Sequence, residues 1–199
     1  IHARMDQAIK AFGVPLSSDD LRTIAAFHQR FAEAGLSLQF QSTGRPPQRD
    51  YPTYRDLLLD TDSAGRQSNF LASEESFQFV RGLEAQDRII PVVGDLSGPS
   101  ALAAIGKRLA SRGEALSVFY ASNVEFYLFR DGSFPRFVGN LRQVPRAPGS
   151  VIIRSIFGRF GMTSRPGDNS ASQLQGLDDL LNAQNAGRIR GYSDLISSR

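Results

Sequence analysis

Residues 88–123 constrain the fold most strongly because they have the pattern of one complete strand–helix–strand unit. Residues 89–93 form an apolar run rich in β-branched side chains, which is typical of a strand buried on both faces of a parallel sheet. Residues 99–112 repeat apolar side chains at helical spacing, and the glycine after them predicts the end of that helix. A second strand is predicted at residues 116–121. A helical connection between two such strands predicts a right-handed parallel crossover.

Polar side chains follow both predicted strands. The carboxyl ends of parallel strands meet at one edge of a sheet, where α/β proteins bind their ligands. Carboxylates and amides hydrogen-bond hydroxyl and amine groups, and a glycine lets backbone approach a ligand closely. We therefore expect these side chains to converge on one small molecule. The candidate binding residues at this edge are Gly94, Asp95, Ser97, Tyr120, Asn123 and Glu125.

The same residues also fit structural roles. Asp95 is equally suited to satisfying the free N–H groups of the helix that starts near Pro99. Asn123 can cap the next short helix, and Tyr120 and Tyr127 can pack in the core with their hydroxyls in water. The sequence leaves the binding and the structural interpretation open for each of these residues.

The rest of the chain is predicted to alternate helices, strands and polar loops. Residues 17–35 have the strongest helical pattern, with a capping box of Ser17 and Asp20 and a buried apolar stripe that includes Leu21 and Phe31. Further helices are predicted at residues 5–12, 54–59, 73–83 and 174–186, further strands at 36–41, 135–138 and 151–154, and a final docking turn at 192–196.

Length and composition narrow the class of protein. A chain of 199 residues fits a single α/β domain, and its apolar stretches are all shorter than the roughly 20 residues that a membrane span needs. The absence of cysteine excludes disulfides, a thiol nucleophile and cysteine zinc sites. The net charge is only +3 and the arginines are dispersed, so neither nucleic acid nor membrane is expected as a partner. We expect a soluble, cytoplasmic protein.

Known catalytic and cofactor motifs give little support to specific chemistries. Asp60 and Asp62 fit the start of a calcium loop only loosely, because the glutamate that such a loop requires is missing at its position, so no metal is predicted. The sequence contains neither a phosphate-binding loop nor the G-x-S-x-G nucleophile elbow of hydrolases. The chain begins at Ile1 rather than at methionine, which predicts that it is a piece of a longer polypeptide.

Several motifs carry a resemblance to a known family, among them T-Y-R-D-L-L-L-D-T-D-S-A-G from Thr53, P-V-V-G-D-L-S-G-P-S-A-L from Pro91 and S-V-F-Y-A-S-N-V-E-F-Y-L from Ser117. With them, most of the chain resembles an uncharacterised bacterial family, with a Leptospira member, whose fold is similar to class I S-adenosylmethionine-dependent methyltransferases. The resemblance implies a three-layer, Rossmann-like, mostly parallel sheet with helices on both faces. In that family the segment resembling a methyltransferase cofactor loop lies nearer the N-terminus and has no counterpart here, so the chain resembles the C-terminal portion.

The leading functional hypothesis is a methyltransferase-like protein that binds S-adenosylmethionine or a small-molecule substrate at the carboxyl ends of its strands. In that site Asp95 would orient an acceptor amine or hydroxyl, Asn123 and Glu125 would fix the substrate, and Arg154 would hold a carboxylate or phosphate. The expected partners are a small-molecule ligand and an upstream segment of the same protein that completes the sheet. The alternative is a non-catalytic Rossmann-like binding or interaction protein.

Overall fold

The computed structural model describes residues 2–41, 44, 46, 51–157 and 170–197. The chain divides into two compact units, Ile1–Ile90 (unit 1) and Pro91–Arg199 (unit 2). The prediction of one domain over residues 1–199 stays a prediction. None of the helices in the described ranges is both long and apolar enough to cross a membrane.

Unit 1 is helical. Its helices are α1 (His2–Ala11), α2 (Ser18–Ala34), α3 (Tyr54–Leu59) and α4 (Glu74–Ala85). The predicted capping box of α2 is confirmed, because the Asp20 N–H donates to Ser17 Oγ at 3.1 Å while the Ser17 N–H donates to the Asp20 carboxylate at 2.8 Å. These bonds satisfy N–H groups that the first helical turn cannot pair internally, so the helix starts where the sequence predicts.

Two expectations for unit 1 are wrong. The strand predicted at residues 36–41 is replaced by a short 3-10 helix, Gly35–Ser37, and one isolated bridge between Gln39 and Thr53. The stripe predicted to be buried on α2 is half-buried at Leu21 and exposed at Phe31 (59%), and none of the described side chains of unit 1 is buried. A helical stripe becomes a core only where another element covers it, which the sequence of the helix alone does not specify.

Unit 2 combines a small sheet with five helices in the described ranges. Its elements in chain order are α5 (Ala101–Ser111), β1 (Leu116–Ser122), α6 (Val124–Arg130), α7 (Phe134–Arg142), β2 (Arg146–Phe157), β3 (Ser170–Gly176), α8 (Leu177–Asn185) and α9 (Tyr192–Ser197). The strand order is β1–β2–β3; β1 pairs parallel with β2, and β2 pairs antiparallel with β3.

One apolar cluster forms the core of unit 2. It includes side chains from the sheet and from the helices, and its largest fully buried members are Phe134, Phe137, Leu141, Ile152, Leu177, Leu180 and Leu195. Burying such side chains contributes roughly 1.5–3 kcal/mol each relative to exposing them. This cluster fixes the elements that carry the candidate site.

The sequence prediction for unit 2 is confirmed in part. The helix at 99–112, the strand at 116–121 and the strand at 151–154 correspond to α5, β1 and β2. Residues 89–93, predicted as a buried strand, instead lie in irregular backbone, with Val93 fully exposed. An apolar run forms a ladder only when it pairs with a neighbouring strand, and within the described residues β1 pairs only with β2.

Two further predictions in unit 2 are corrected. Residues 135–138 belong to α7 instead of a strand, because their apolar side chains continue at helical spacing to Leu141, which is fully buried. The helix predicted at 174–186 is preceded by strand β3 and starts only at Leu177. The mixed α/β class is confirmed with one sheet of three strands in the described residues, whereas a three-layer, mostly parallel Rossmann-like sheet stays a prediction.

Candidate functional site

The turn before α5 is held by the carboxylate of Asp95. Asp95 Oδ1 accepts hydrogen bonds from the Ser97 backbone N–H at 2.8 Å and from Ser97 Oγ at 2.9 Å. The Ser97 N–H is the main reason that the pKa of Asp95 lies below its ordinary value; the Ser97 hydroxyl, the Gly98 N–H and the positive charge of Arg136 lower that pKa further. Asp95 therefore stabilises the turn itself, as an anion, and does not cap the first turn of α5.

Gly94 is a glycine because of its neighbour in α5. A Cβ built on Gly94 would lie 2.5 Å from the Cβ of Ala101, closer than two carbon atoms can approach. The sequence predicts that this glycine lets backbone approach a ligand, but in this structure the group that approaches it is the first residue of α5. The close contact fixes the turn against the start of the helix.

Asn140 of α7 holds the same turn from the other side. Its Nδ2 donates to the backbone carbonyls of Leu96 at 3.0 Å and Gly98 at 2.7 Å. One amide group thus satisfies two carbonyls of an irregular segment and ties it to a helix whose opposite face is buried in the core. Hydrogen bonds of the Asp95 and Asn140 side chains therefore hold the turn at residues 94–99.

A cleft of about 530 Å³ opens between this turn and α7. We call it the Asp95 cleft; its lining residues are Asp95, Ser97, Gly98, Pro99, Arg136, Gly139, Asn140 and Gln143. The exposed guanidinium of Arg136 has no hydrogen bond or ion pair among the contacts of the described residues. The cleft thus combines a carboxylate that accepts hydrogen bonds with a guanidinium that interacts with this carboxylate electrostatically but makes no hydrogen bond to it among the described contacts.

A second cleft of about 540 Å³ lies at the other end of α7, where β2 begins. Its main charged groups neutralise one another, because Arg146 Nε donates to Asp178 Oδ1 at 2.7 Å. Arg142 also lines this cleft and reaches the Leu181 carbonyl at 3.4 Å. None of the residues chosen from the sequence lies in it.

Two other predicted site residues, Glu125 and Arg154, form a buried ion pair. Arg154 Nε lies 2.6 Å from Glu125 Oε2, and Arg154 Nη2 lies 3.3 Å from Glu125 Oε1. The arginine is fully buried and the glutamate is 1% exposed. The two groups bind each other in the interior of unit 2, so neither is presented to a ligand in this structure.

Neutral side chains complete the surroundings of this pair. Arg154 donates to Gln173 Oε1 at 3.2 Å and to Gln175 Oε1 at 3.0 Å, and both glutamines lie on β3. The Gln173 amide in turn donates to the carbonyl of Ile196 in α9 at 2.9 Å. Burial raises the pKa of Tyr192, also in α9; the negative charge of Glu125 raises it further, whereas Arg154 acts to lower it. The network therefore joins β2, β3, α6 and α9.

Tyr120 and Asn123 occupy the end of β1. The Tyr120 side chain is 63% exposed, and its hydroxyl lies 3.0 Å from Ser155 Oγ on β2. Asn123 precedes α6, but its side chain makes no capping hydrogen bond in the described contacts. Between them Ser122 has a φ of +50°, a left-handed conformation that non-glycine residues seldom adopt and that often marks a functional turn.

The structure thus divides the predicted site residues into separate groups. Asp95 and Ser97 line one cleft, and Glu125 and Arg154 form the buried pair. Their assignment to one ligand site stays a prediction. Within the described residues, no group of three or more His, Cys, Asp or Glu side chains is placed to hold a metal ion.

Sequence reasoning missed the residues that support both groups. Arg136 and Asn140 are four residues apart on α7, a spacing that places both on one helical face and would have indicated a polar face. Gln173 and Gln175 flank Leu174 with the period of a strand, which was obscured because a helix was predicted from residue 174. Each signal becomes useful only when the type of element is known.

Comparison with known proteins gives one family match. The model of a family described as a domain of unknown function, DUF7790, matches residues 23–188. The comparison with curated proteins found no match to the chain. A Leptospira family and a relationship to methyltransferases therefore stay predictions from the sequence motifs.

Proposed function

The chain belongs to the DUF7790 family, a domain family of unknown function, and we propose that unit 2 binds a small polar molecule in the Asp95 cleft. The observation that carries this proposal is a pair of opposite charges in one cleft, the carboxylate of Asp95 and the exposed guanidinium of Arg136, which makes no hydrogen bond among the described contacts. The volume of about 530 Å³ lies within the range of roughly 300–1,000 Å³ that is usual for small-molecule sites.

The polar atoms of the cleft suggest the chemistry of the ligand. Guanidinium groups bind carboxylates and phosphates through paired N–H donors, so Arg136 selects an anionic group. Both hydrogen bonds from Ser97 use Oδ1 of Asp95, so we expect Oδ2 to accept an N–H or O–H group of the ligand. A ligand with an ammonium and a carboxylate close together, as in an amino acid, matches both side chains.

S-adenosylmethionine is the specific ligand that we propose first, because its methionine portion carries that pair of groups. The proposal rests on this charge match and on the sequence resemblance to methyltransferase-like proteins. In a methyltransferase-like site the protein would mainly position the methyl donor and the acceptor in line.

Binding without catalysis is the second candidate, and the position of Glu125 and Arg154 favours it. The sequence hypothesis assigns Glu125, with Asn123, to fixing a substrate and Arg154 to holding a carboxylate or phosphate, but Glu125 and Arg154 are bound to each other in the core. Without them, the charged groups available to a ligand in the Asp95 cleft are Arg136 and the turn carboxylate of Asp95. Such groups suit a ligand-binding or interaction protein.

Isothermal titration of the full chain tests the binding proposal. We expect S-adenosylmethionine or S-adenosylhomocysteine to bind at submillimolar concentration, and Arg136→Gln to weaken that binding by roughly tenfold or more, as expected for the loss of a charge-assisted contact. Arg108→Gln is the matched control, because Arg108 is an exposed helical arginine of the same unit outside the cleft. It should leave affinity unchanged.

The outcomes separate the alternatives. If neither S-adenosyl compound nor free methionine gives a binding heat at millimolar concentration, the proposed zwitterion site is overturned. Binding that Arg136→Gln does not weaken would place the site elsewhere. Binding of S-adenosylmethionine without formation of S-adenosylhomocysteine in the presence of cell extract would support the non-catalytic candidate.

A further inference from the structure

Strand β1 has one free backbone edge. It is an outer strand of the sheet, and its ladder runs to β2. Among the described backbone hydrogen bonds, none joins residues 117–122 across the other edge. Unpaired N–H and C=O groups along an edge form a template for a further strand.

The composition of β1 makes this edge unusual. Its sequence, Leu-Ser-Val-Phe-Tyr-Ala-Ser, contains no charge, proline or glycine, the features by which proteins usually keep exposed edges from pairing. Val118 is 47% exposed and Tyr120 is 63% exposed. An uncharged apolar edge of this kind is expected to be covered when the protein functions.

The same unit contains a short exposed apolar segment. Val92 is 55% exposed and Val93 is fully exposed, in a chain segment without regular structure. This segment ends at Gly94, which is fixed against Ala101 at the start of α5. The C-terminal end of the segment is therefore fixed relative to α5, while the Val92 and Val93 side chains are exposed to water.

The connection from this segment to β1 runs through α5. The chain turns after α5 at Gly113, whose φ is +66°, before β1 begins at Leu116. Leu102 at the start of α5 and Ala121 at the end of β1 belong to the same core cluster. A strand that ended at Gly94 would therefore run parallel to β1, with α5 as the crossover helix.

We propose that residues 91–93 add to the free edge of β1 as a short parallel strand in a second conformation of unit 2. Pro91 is compatible with this role, because proline occurs at the first residue of a strand and on outer strands, where its missing N–H costs no ladder bond. The added strand would place Asp95 beside Ser122 and Asn123 at one carboxyl edge. The inference does not depend on which ligand the Asp95 cleft binds.

Disulfide trapping tests this pairing cleanly because the chain has no cysteine of its own. The test variants combine Val92→Cys with Tyr120→Cys or with Val118→Cys, which covers both neighbouring registers on the exposed face of β1. The control combines Val92→Cys with Leu174→Cys. Leu174 is an exposed residue of β3, two strands beyond Tyr120 through Ile153. A Val92 paired with the free edge of β1 would lie three strand spacings from Leu174, about 14 Å and beyond the reach of a disulfide.

The expected result is rapid oxidation of at least one test pair and little of the control, measured by intact mass after alkylation of free thiols. Oxidation of neither test pair, or equal oxidation of the control, would overturn the inference. A second measurement uses amide hydrogen exchange: Val93→Pro should remove protection from the β1 amides, whereas Val93→Thr, which keeps the N–H, should retain it. Equal exchange in the two variants would also contradict the added strand.

Discussion

Arg154 and Glu125 form an ion pair in which the guanidinium is fully buried and the carboxylate is 1% exposed, with Nε and Oε2 2.6 Å apart. Removing two charges from water costs several kcal/mol per ion, and their attraction offsets this cost only when the remaining donors also find partners. Gln173 and Gln175 supply those partners to Arg154. The pair therefore makes the packing of β2, β3 and α6 interdependent.

Replacing one member of this pair is expected to destabilise unit 2 strongly. Glu125→Ala leaves the Arg154 charge buried without its counter-ion, which typically lowers the free energy of unfolding by about 3–5 kcal/mol. Urea unfolding of the full chain, followed by far-ultraviolet circular dichroism, measures the loss. The double variant Glu125→Leu with Arg154→Met removes both charges and should recover much of it. The single variants Glu125→Leu and Arg154→Met complete the comparison. If the stability loss of the double variant equals the sum of their two losses, the side chains act independently.

The pKa of Asp95 predicts how stability depends on pH. The Ser97 N–H, the Ser97 hydroxyl and weaker contributions hold this pKa below its ordinary value. Because the folded-state pKa is lower than the unfolded value of about 3.9, ionised Asp95 stabilises the fold above that pH, and this contribution is lost as pH falls through the folded-state pKa. The stability difference between the native chain and Asp95→Asn should therefore narrow as pH falls below about 4.

Chemical unfolding at a series of pH values checks this dependence. Ser97→Ala provides the comparison, because it removes the hydroxyl but keeps the backbone N–H that contributes most to the lowered pKa. In that background the effect of Asp95→Asn should be smaller but should narrow in the same direction. A difference between the native chain and Asp95→Asn that stays constant from neutral to acid pH would contradict the role of the ionised carboxylate.

Elements with local signals were predictable from sequence. The capping box of Ser17 and Asp20 marks the start of α2, and Gly113 marks the end of α5, because both signals depend on the backbone of neighbouring residues alone. The apolar run at 89–93 has equally strong strand character, but a strand also needs a partner edge. The sequence of residues 89–93 does not show whether a partner strand is present, and in the described conformation these residues are unpaired.

The candidate site was predictable residue by residue but not as a constellation. Glu125 and Arg154 were both selected as polar groups beside strands, yet their pairing joins residues 29 positions apart and leaves no local pattern. Asn140 was missed because residues 135–138 were predicted as a strand, which concealed the helical face that Asn140 shares with Arg136. Its two carbonyl partners belong to a turn more than 40 positions earlier.

Asn140 is expected to determine the order of the turn beside the Asp95 cleft. Asn140→Ala removes the donor shared by the Leu96 and Gly98 carbonyls, which should cost about 1–3 kcal/mol in the free energy of unfolding. Amide exchange in residues 96–98 should also become faster. Gln143→Ala is the control, since Gln143 is an exposed residue of the same cleft whose side chain makes no hydrogen bond in the described contacts. Equal effects of the two variants would refute a specific role for Asn140.

The contact between Gly94 and Ala101 predicts that residue 94 has room for the hydrogen of glycine but not for a larger side chain. Gly94→Ala would place a methyl group 2.5 Å from the Ala101 Cβ, so the turn must move away from α5, and overpacking of this kind typically costs about 1–3 kcal/mol. Thermal and urea unfolding measure that loss. Gly139→Ala is the matched control, because a Cβ at Gly139 meets no atom within 4 Å and alanine favours the helix by about 0.5–1 kcal/mol. If steric contact is the cause, adding Ala101→Gly to Gly94→Ala should make the double variant more stable than the sum of the single losses predicts, whereas simple additivity would rule that contact out.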